Sequence, residues 1–255
     1  MSLAPIHTQV SKAYAEALEL ATQGQRGGCC GGSVTVFAGY GQEASDYQGV
    51  QSLSFGCGNP LALAGVQPGQ TVLDLGSGAG LDLLLASDLV GPEGRVIGVD
   101  MTEAMLAMAR RNIEAAGKSN IEVRQGCIEA LPVADANVDW VISNCVVNLS
   151  PDKAAVFQEI ARVLAPGGQV SISDIVAESL PDCLHGDTAA YCACVGGAIP
   201  EAAYLQGLEA VGLVDVRVAD RLVYDEPQLR GLLAREDVAG MVGKVASVRV
   251  VARKP

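Results

Sequence analysis

A chain of 255 residues with 49% hydrophobic and only 18% charged residues can bury a sizeable core, which excludes wholesale disorder. Its 17 Lys and Arg against 29 Asp and Glu leave a formal charge of −12, the wrong sign for following phosphates or anionic lipid, so neither nucleic acid nor membrane is expected as a partner. The sequence holds no apolar run of about 18 residues and begins without a basic-then-apolar leader, which makes the cytoplasm the expected location.

Eight cysteines are then expected in a reducing compartment, where metal or metalloid binding and catalysis compete with simple burial. They are Cys29, Cys30, Cys57, Cys127, Cys145, Cys183, Cys192 and Cys194. They form no CxxC pairs, and with His7 and His185 the only histidines a zinc finger is excluded.

In chain order, Val10, Tyr14, Ala17, Leu18 and Ala21 recur at helical spacing and predict an amphipathic helix over 8–24. Gly27-Gly28-Cys29-Cys30-Gly31-Gly32 follows, a stretch with nothing to hold it together, and 33–60 reads as an irregular connection. From Pro68 the pattern turns regular. Strands are predicted at 71–75, 95–100, 121–124, 138–143 and 169–175, with helices over 81–89, 102–116 and 152–164 between them. Thr102 is a plausible N-cap, Gly117 a stop, and Pro166-Gly167-Gly168 closes the third of these helices. Two last strands, 213–218 and 246–252, should complete the sheet. Strands alternating with helices imply right-handed crossovers and a doubly wound, mostly parallel α/β sheet. Residues 1–60 are thus expected to be a helical and irregular N-terminal appendage, and 61–255 one domain.

Asp74-Leu75-Gly76-Ser77-Gly78-Ala79-Gly80 joins the first strand to its helix. Its glycines fall as GxGxG, and Leu81 stands where the dinucleotide fingerprint needs a small residue. An acid two residues before the first glycine would repel a pyrophosphate but suit a cation. Asp100, at the end of the second strand, is placed to accept hydrogen bonds from ribose hydroxyls. In this order, acid, GxGxG and ribose acid resemble the Rossmann-like class I S-adenosylmethionine-dependent methyltransferases, over roughly residues 60–255. The resemblance implies S-adenosylmethionine as cofactor. It puts Asp74, Gly76, Gly78 and Gly80 around the methionine portion, Asp100 and Met101 at the ribose and adenine, and Cys127 with Ile128 at the adenine edge, with Ser77 and Asn144 also among the cofactor-binding residues.

Oxygen and nitrogen acceptors need a general base. The one histidine of the body, His185, lies in a loop and reads more simply as a solvated side chain. Cys145 directly follows the fourth strand, Cys194 lies beyond the fifth, and Cys57 precedes the sheet, so three soft thiols can converge at the strand ends. With their flanks, Phe55-Gly56-Cys57-Gly58-Asn59-Pro60, Ile142-Ser143-Asn144-Cys145-Val146-Val147-Asn148-Leu149-Ser150 and Cys194-Val195-Gly196-Gly197-Ala198, they resemble the arsenite S-adenosylmethionine methyltransferases. That resemblance implies that Cys57, Cys145 and Cys194 hold As(III), supplied as arsenite or in thiol-bound form. It also implies that Cys30 or Cys29 acts as redox partner, able to pair with Cys57, and that a thiol reductant takes part. Cys127, Cys183 and Cys192 carry no implied role in the arsenic chemistry and are expected to be buried. Two other functions fit the same residues: methylation of a small organic molecule with structural cysteines, and metalloid binding without transfer.

Overall fold

The computed structural model describes residues 5–23, 40, 42–51, 53–54, 56, 58–61, 65–181, 184 and 187–255. Seven strands form one sheet: β1 (Thr71–Leu75), β2 (Arg95–Asp100), β3 (Ile121–Gln125), β4 (Val138–Asn144), β5 (Leu164–Ala177), β6 (Val214–Val223) and β7 (Val245–Arg253). Their order is β3-β2-β1-β4-β5-β7-β6. The first five pair in parallel, and β7 enters antiparallel between β5 and β6. The doubly wound, mostly parallel sheet expected from the alternation of elements is the one observed.

Strand pleating sends alternate residues to opposite faces, and both faces are covered. Leu73 and Leu75 of β1 join a core with Phe157 and Ile160 of α5 (Lys153–Val163), and with Tyr204 and Leu208 of α7 (Glu201–Ala210). Val72 faces the other way, onto Leu83 and Leu84 of α3 (Leu81–Val90) and Ile113 of α4 (Glu103–Ala115). A third cluster sits apart from these two. It joins Val10 of α1 (Pro5–Thr22), Cys192 of α6 (Thr188–Cys192) and Leu229 of α8 (Glu226–Leu233) to Cys145, Leu149 and Cys194. The first helix therefore packs where the thiol-bearing segments meet.

Three readings of the sequence need correcting. The first helix starts and stops earlier than 8–24. Part of the connection expected to be irregular folds, as a 3-10 helix at Gln42–Tyr47 and α2 at Gln48–Gln51. Pro166-Gly167-Gly168 does not merely stop a helix, because β5 begins already at Leu164. A register shift on β4 between Val138 and Trp140 absorbs these extra residues, with Gly167 in the left-handed region at φ 80°. Of the helices between β5 and β7, α7 has a thin apolar pattern and buries only Tyr204 and Leu208, whereas α8 carries Leu229, Leu232 and Leu233 at helical spacing, a signal the sequence reading passed over.

Chain order reverses between β1 and β4, and in open parallel sheets ligands bind beyond the strand ends at that point. The glycine loop leaves β1 on one side of this crevice, and Cys145 follows β4 on the other.

Candidate active site

The glycine loop bends as its composition allows. Gly76, Gly78 and Gly80 all have positive φ, at 67°, 51° and 94°. A side chain at Gly76 would strike Val146, with its Cβ 2.5 Å from Val146 Cγ2, whereas Gly78 faces open space. Asp100 fastens the loop to the end of β2. Its Oδ2 accepts from the Gly78 N–H at 2.9 Å and its Oδ1 from the Thr102 N–H at 2.8 Å. Thr102 occupies the N-cap position of α4, but its side chain makes no capping hydrogen bond.

The loop borders a cleft of about 910 Å³, open solvent included. Ser77, Asp100, Met101, Ile128, Asn144 and Cys145 are in its wall. Ser77 Oγ is buried there without a hydrogen-bond partner among the described residues, a donor left open to a ligand. These features fit an adenosyl group with a polar tail.

Charge points to the sign of that ligand. Asp74 is 2% exposed and, contrary to expectation, stands behind the wall rather than in it. Burial raises its pKa well above the usual carboxyl range, and the neighbouring Asp82 and Asp100 push it the same way. Asp82, which the sequence reading passed over, is in the wall. Burial pushes it up to about 6 against hydrogen bonds from Tyr40 and Asn144. The Tyr40 hydroxyl donates to Asp82 Oδ1 at 2.7 Å, and Asn144 Nδ2 donates to the Tyr40 oxygen at 2.9 Å and to the Gly58 carbonyl at 2.7 Å. Three carboxyls converge here, and no Lys or Arg is in the wall among the described residues. A cation entering this end relieves their mutual repulsion. The signal for Asp82 was present as the acid in the apolar run Leu81-Asp82-Leu83-Leu84-Leu85.

The thiol side is built on strained backbone. Cys145 and Cys194 have φ 59° and 60°, a left-handed conformation that non-glycine residues keep only where their surroundings enforce it. Both are 3% exposed. The Cys194 thiol donates to the Cys145 carbonyl at 2.8 Å, and the Cys145 N–H donates to the Ser173 carbonyl at 2.8 Å. Cys145 is in the cavity wall while Cys194 packs directly behind it. Cys145 is disulfide-bonded in this structure, so a thiolate there requires reduction first. Cys57, Cys29, Cys30, Cys183 and His185 lie outside the described residues.

Asn148 holds this corner together. Fully buried, it donates from its backbone N–H to Asp174 Oδ2 at 3.1 Å. Its Nδ2 lies 2.9 Å from Asp174 Oδ1, 2.6 Å from the Ile175 carbonyl and 3.1 Å from the Cys194 carbonyl. A Cβ on Gly197 would meet the Asn148 carbonyl oxygen at 2.0 Å, which is why glycine follows the thiol loop so closely.

Asp174, fully buried, is pushed up to about 7 chiefly by burial, with hydrogen bonds from Ile175 and Asn148 and the charge of Lys153 opposing. A carboxyl raised in the fold holds more protons there than in the unfolded chain, where its pKa is about 3.9. Its contribution to stability is therefore complete below about pH 3.9 and lost as pH rises through about 7. The wild-type denaturant midpoint should fall across that window for this reason, and Asp174→Asn should flatten the slope even if it lowers the midpoint overall. Denaturant titrations at several pH values from about 4 to 8 check this; an unaltered slope would show that Asp174 titrates no differently in the two states.

Residues 67–226 match a family model described as a methyltransferase domain. An arsenite methyltransferase of Halobacterium salinarum is 46% identical over 201 residues, covering 76% of this chain and 51% of that protein. One from Aquipseudomonas alcaligenes is 36% identical over 230 residues, covering 87% of this chain and 65% of that one. The crystal structure of an arsenic(III) S-adenosylmethionine methyltransferase from Chlamydomonas reinhardtii superposes with TM-score 0.68 at 34% identity, over 87% of this chain and 73% of that chain. The chain belongs to the arsenite methyltransferase family. It spans about half the length of the first of these curated relatives and just under two thirds of the second.

Within this arsenite methyltransferase fold, the remaining cysteines differ from one another. Cys192 is buried, as expected. Cys127 is not: it is half-buried on the loop after β3 and is part of the cavity wall, where burial and the Glu129 carboxylate push its thiol pKa up. No helix among the described residues is long and apolar enough to cross a membrane.

Proposed function

We propose that this chain transfers methyl groups from S-adenosylmethionine to trivalent arsenic held by cysteine thiolates. One observation carries the reading: the Cys194 thiol rests 2.8 Å from the Cys145 carbonyl, beside a cavity whose wall carries the glycine loop and Cys145. Bound S-adenosylmethionine supplies a sulfonium-activated methyl group. Asp82 and Asp100 would steady its cationic end, Asp100 would take the ribose hydroxyls on lone pairs left by Gly78 and Thr102, and Met101 with Ile128 would flank the adenine.

Cys145 and Cys194, with Cys57 as third ligand, would hold arsenic as a pyramid of soft donors. The arsenic lone pair is then the nucleophile, so no side chain has to remove a proton, and the chain contributes chiefly alignment, an effect worth up to about 7–11 kcal/mol. Each methyl transfer oxidises arsenic formally from As(III) to As(V), and two electrons must return it. A thiol reductant supplies them, with Cys30 or Cys29 pairing with Cys57 as the internal relay. The disulfide at Cys145 is the oxidised form that such a reductant would open. Free thiols of this kind suit a reducing compartment such as the cytoplasm, and the acidic surface gives no footing to nucleic acid or anionic membrane.

A second reading, methylation of a small organic molecule with structural cysteines, is favoured by the place of Cys194 behind the wall rather than in it. Incubation with arsenite, S-adenosylmethionine and a dithiol, followed by arsenic speciation, separates the two. Methylated arsenicals that appear only with the dithiol support the first; cosubstrate binding without any methylated arsenic favours the second.

A further inference from the structure

The wall carries a second group of donors that includes neither Cys145 nor Cys194. His7, on the first turns of α1, places Nε2 2.9 Å from Glu129 Oε1. The Ser150 hydroxyl donates to the same oxygen. Cys127 lies two residues before Glu129 on the loop after β3, and the His7, Cys127 and Glu129 ligand atoms all fall within 4.8 Å of one another. Glu129 Oε2 is buried and has no hydrogen-bond partner among the described residues. An acceptor left open in that way lacks the partner that buried carboxylates normally find.

We infer that His7, Cys127 and Glu129 form a binding site for a borderline-soft divalent cation of the Zn²⁺ class, which clamps α1 to the loop after β3. One nitrogen, one sulfur and one oxygen donor suit zinc, whereas Mg²⁺ and Ca²⁺ require oxygen shells. Zinc bonds of about 2.0–2.3 Å need these atoms to draw together by roughly 1 Å, a movement within the reach of three side chains. All three residues line the cavity, so a fourth position stays open to water or a ligand, as in zinc sites with three protein donors. On binding, the Cys127 thiol gives its proton to solvent and nothing is oxidised or reduced. Ser150, hydrogen-bonded to Glu129, holds the carboxylate in place as outer partners of metal ligands do. The site does not depend on the arsenic reading and uses none of its thiols; it assigns Cys127 to the metal in place of the adenine edge that the resemblance implies.

Hydrogen exchange of the α1 amides in the full reduced chain, with and without Zn²⁺, is the test, because it reports this site even where zinc also meets other cysteines. If α1 must leave the site to open, free Zn²⁺ at 100 times its Kd slows α1 exchange about 100-fold in the wild type. His7→Gln, which keeps a donor toward Glu129, and Glu129→Gln should each abolish that slowing and bind one equivalent of Zn²⁺ fewer by equilibrium dialysis. Slowing of equal size in the variants, no slowing in the wild type, or an unchanged zinc stoichiometry would each overturn the site.

Discussion

Cys194→Ser is expected to cut arsenic methylation at least about 100-fold while leaving S-adenosylmethionine affinity within about threefold. Serine is slightly smaller than cysteine and still offers a donor toward the Cys145 carbonyl, so the loop around Asn148 should stand. What it loses is a soft donor, and a hydroxyl does not replace a thiolate on arsenic. A 100-fold loss corresponds to about 3 kcal/mol, a fraction of what alignment can supply. Because Cys194 lies behind the cavity wall, the cosubstrate should not sense the change. Cys145→Ser should act alike. Methylation rates and cosubstrate titrations on the same preparation decide the matter, and a variant that methylates arsenic at the wild-type rate removes Cys194 from the ligand set.

Asp100→Ala should do the reverse. Its carboxylate holds the Gly78 and Thr102 amides and would also hold the ribose, so its loss both frees the glycine loop and strips the cosubstrate of a charged partner. Hydrogen bonds to charged groups are worth about 1.5–3 kcal/mol, which translates into roughly 10- to 100-fold weaker S-adenosylmethionine binding. Arsenite binding, read by loss of free thiols, should be unchanged. Calorimetry with S-adenosylhomocysteine gives the first quantity. If the two affinities fell together, the cofactor and metalloid subsites would be one structural unit rather than two neighbours.

Which parts of this were legible in the sequence follows from how local each signal is. The strands at Thr71–Leu75 and Arg95–Asp100 were read to the residue because each is a short buried run that ends at a glycine loop or an acid. The limits of β5 were not, since its extra length depends on a bulge opposite β4, and pairing across strands is not written in either strand alone. The same holds at the site. Cys145 and Cys194 announced themselves through their flanking motifs, but their left-handed backbone and their dependence on Asn148 and Asp174 arise only from contacts some 26 to 46 residues apart in the chain. Asp74 was read as a cofactor contact and Asp82 was not read at all, yet β1 carries Asp74 under the loop while the first turn of α3 lifts Asp82 to the wall. His7 was noticed only as a histidine, and nothing in its helix tells that Glu129, 122 residues on, comes to meet it.

The convergence of thiols on arsenic is tested most directly by the arsenic X-ray absorption spectrum of the reduced chain loaded with one equivalent of arsenite. Three sulfur neighbours around each arsenic, falling to two in Cys145→Ser and in Cys194→Ser, is the expected result. A first shell of oxygen, or three sulfurs that persist in both variants, would contradict it.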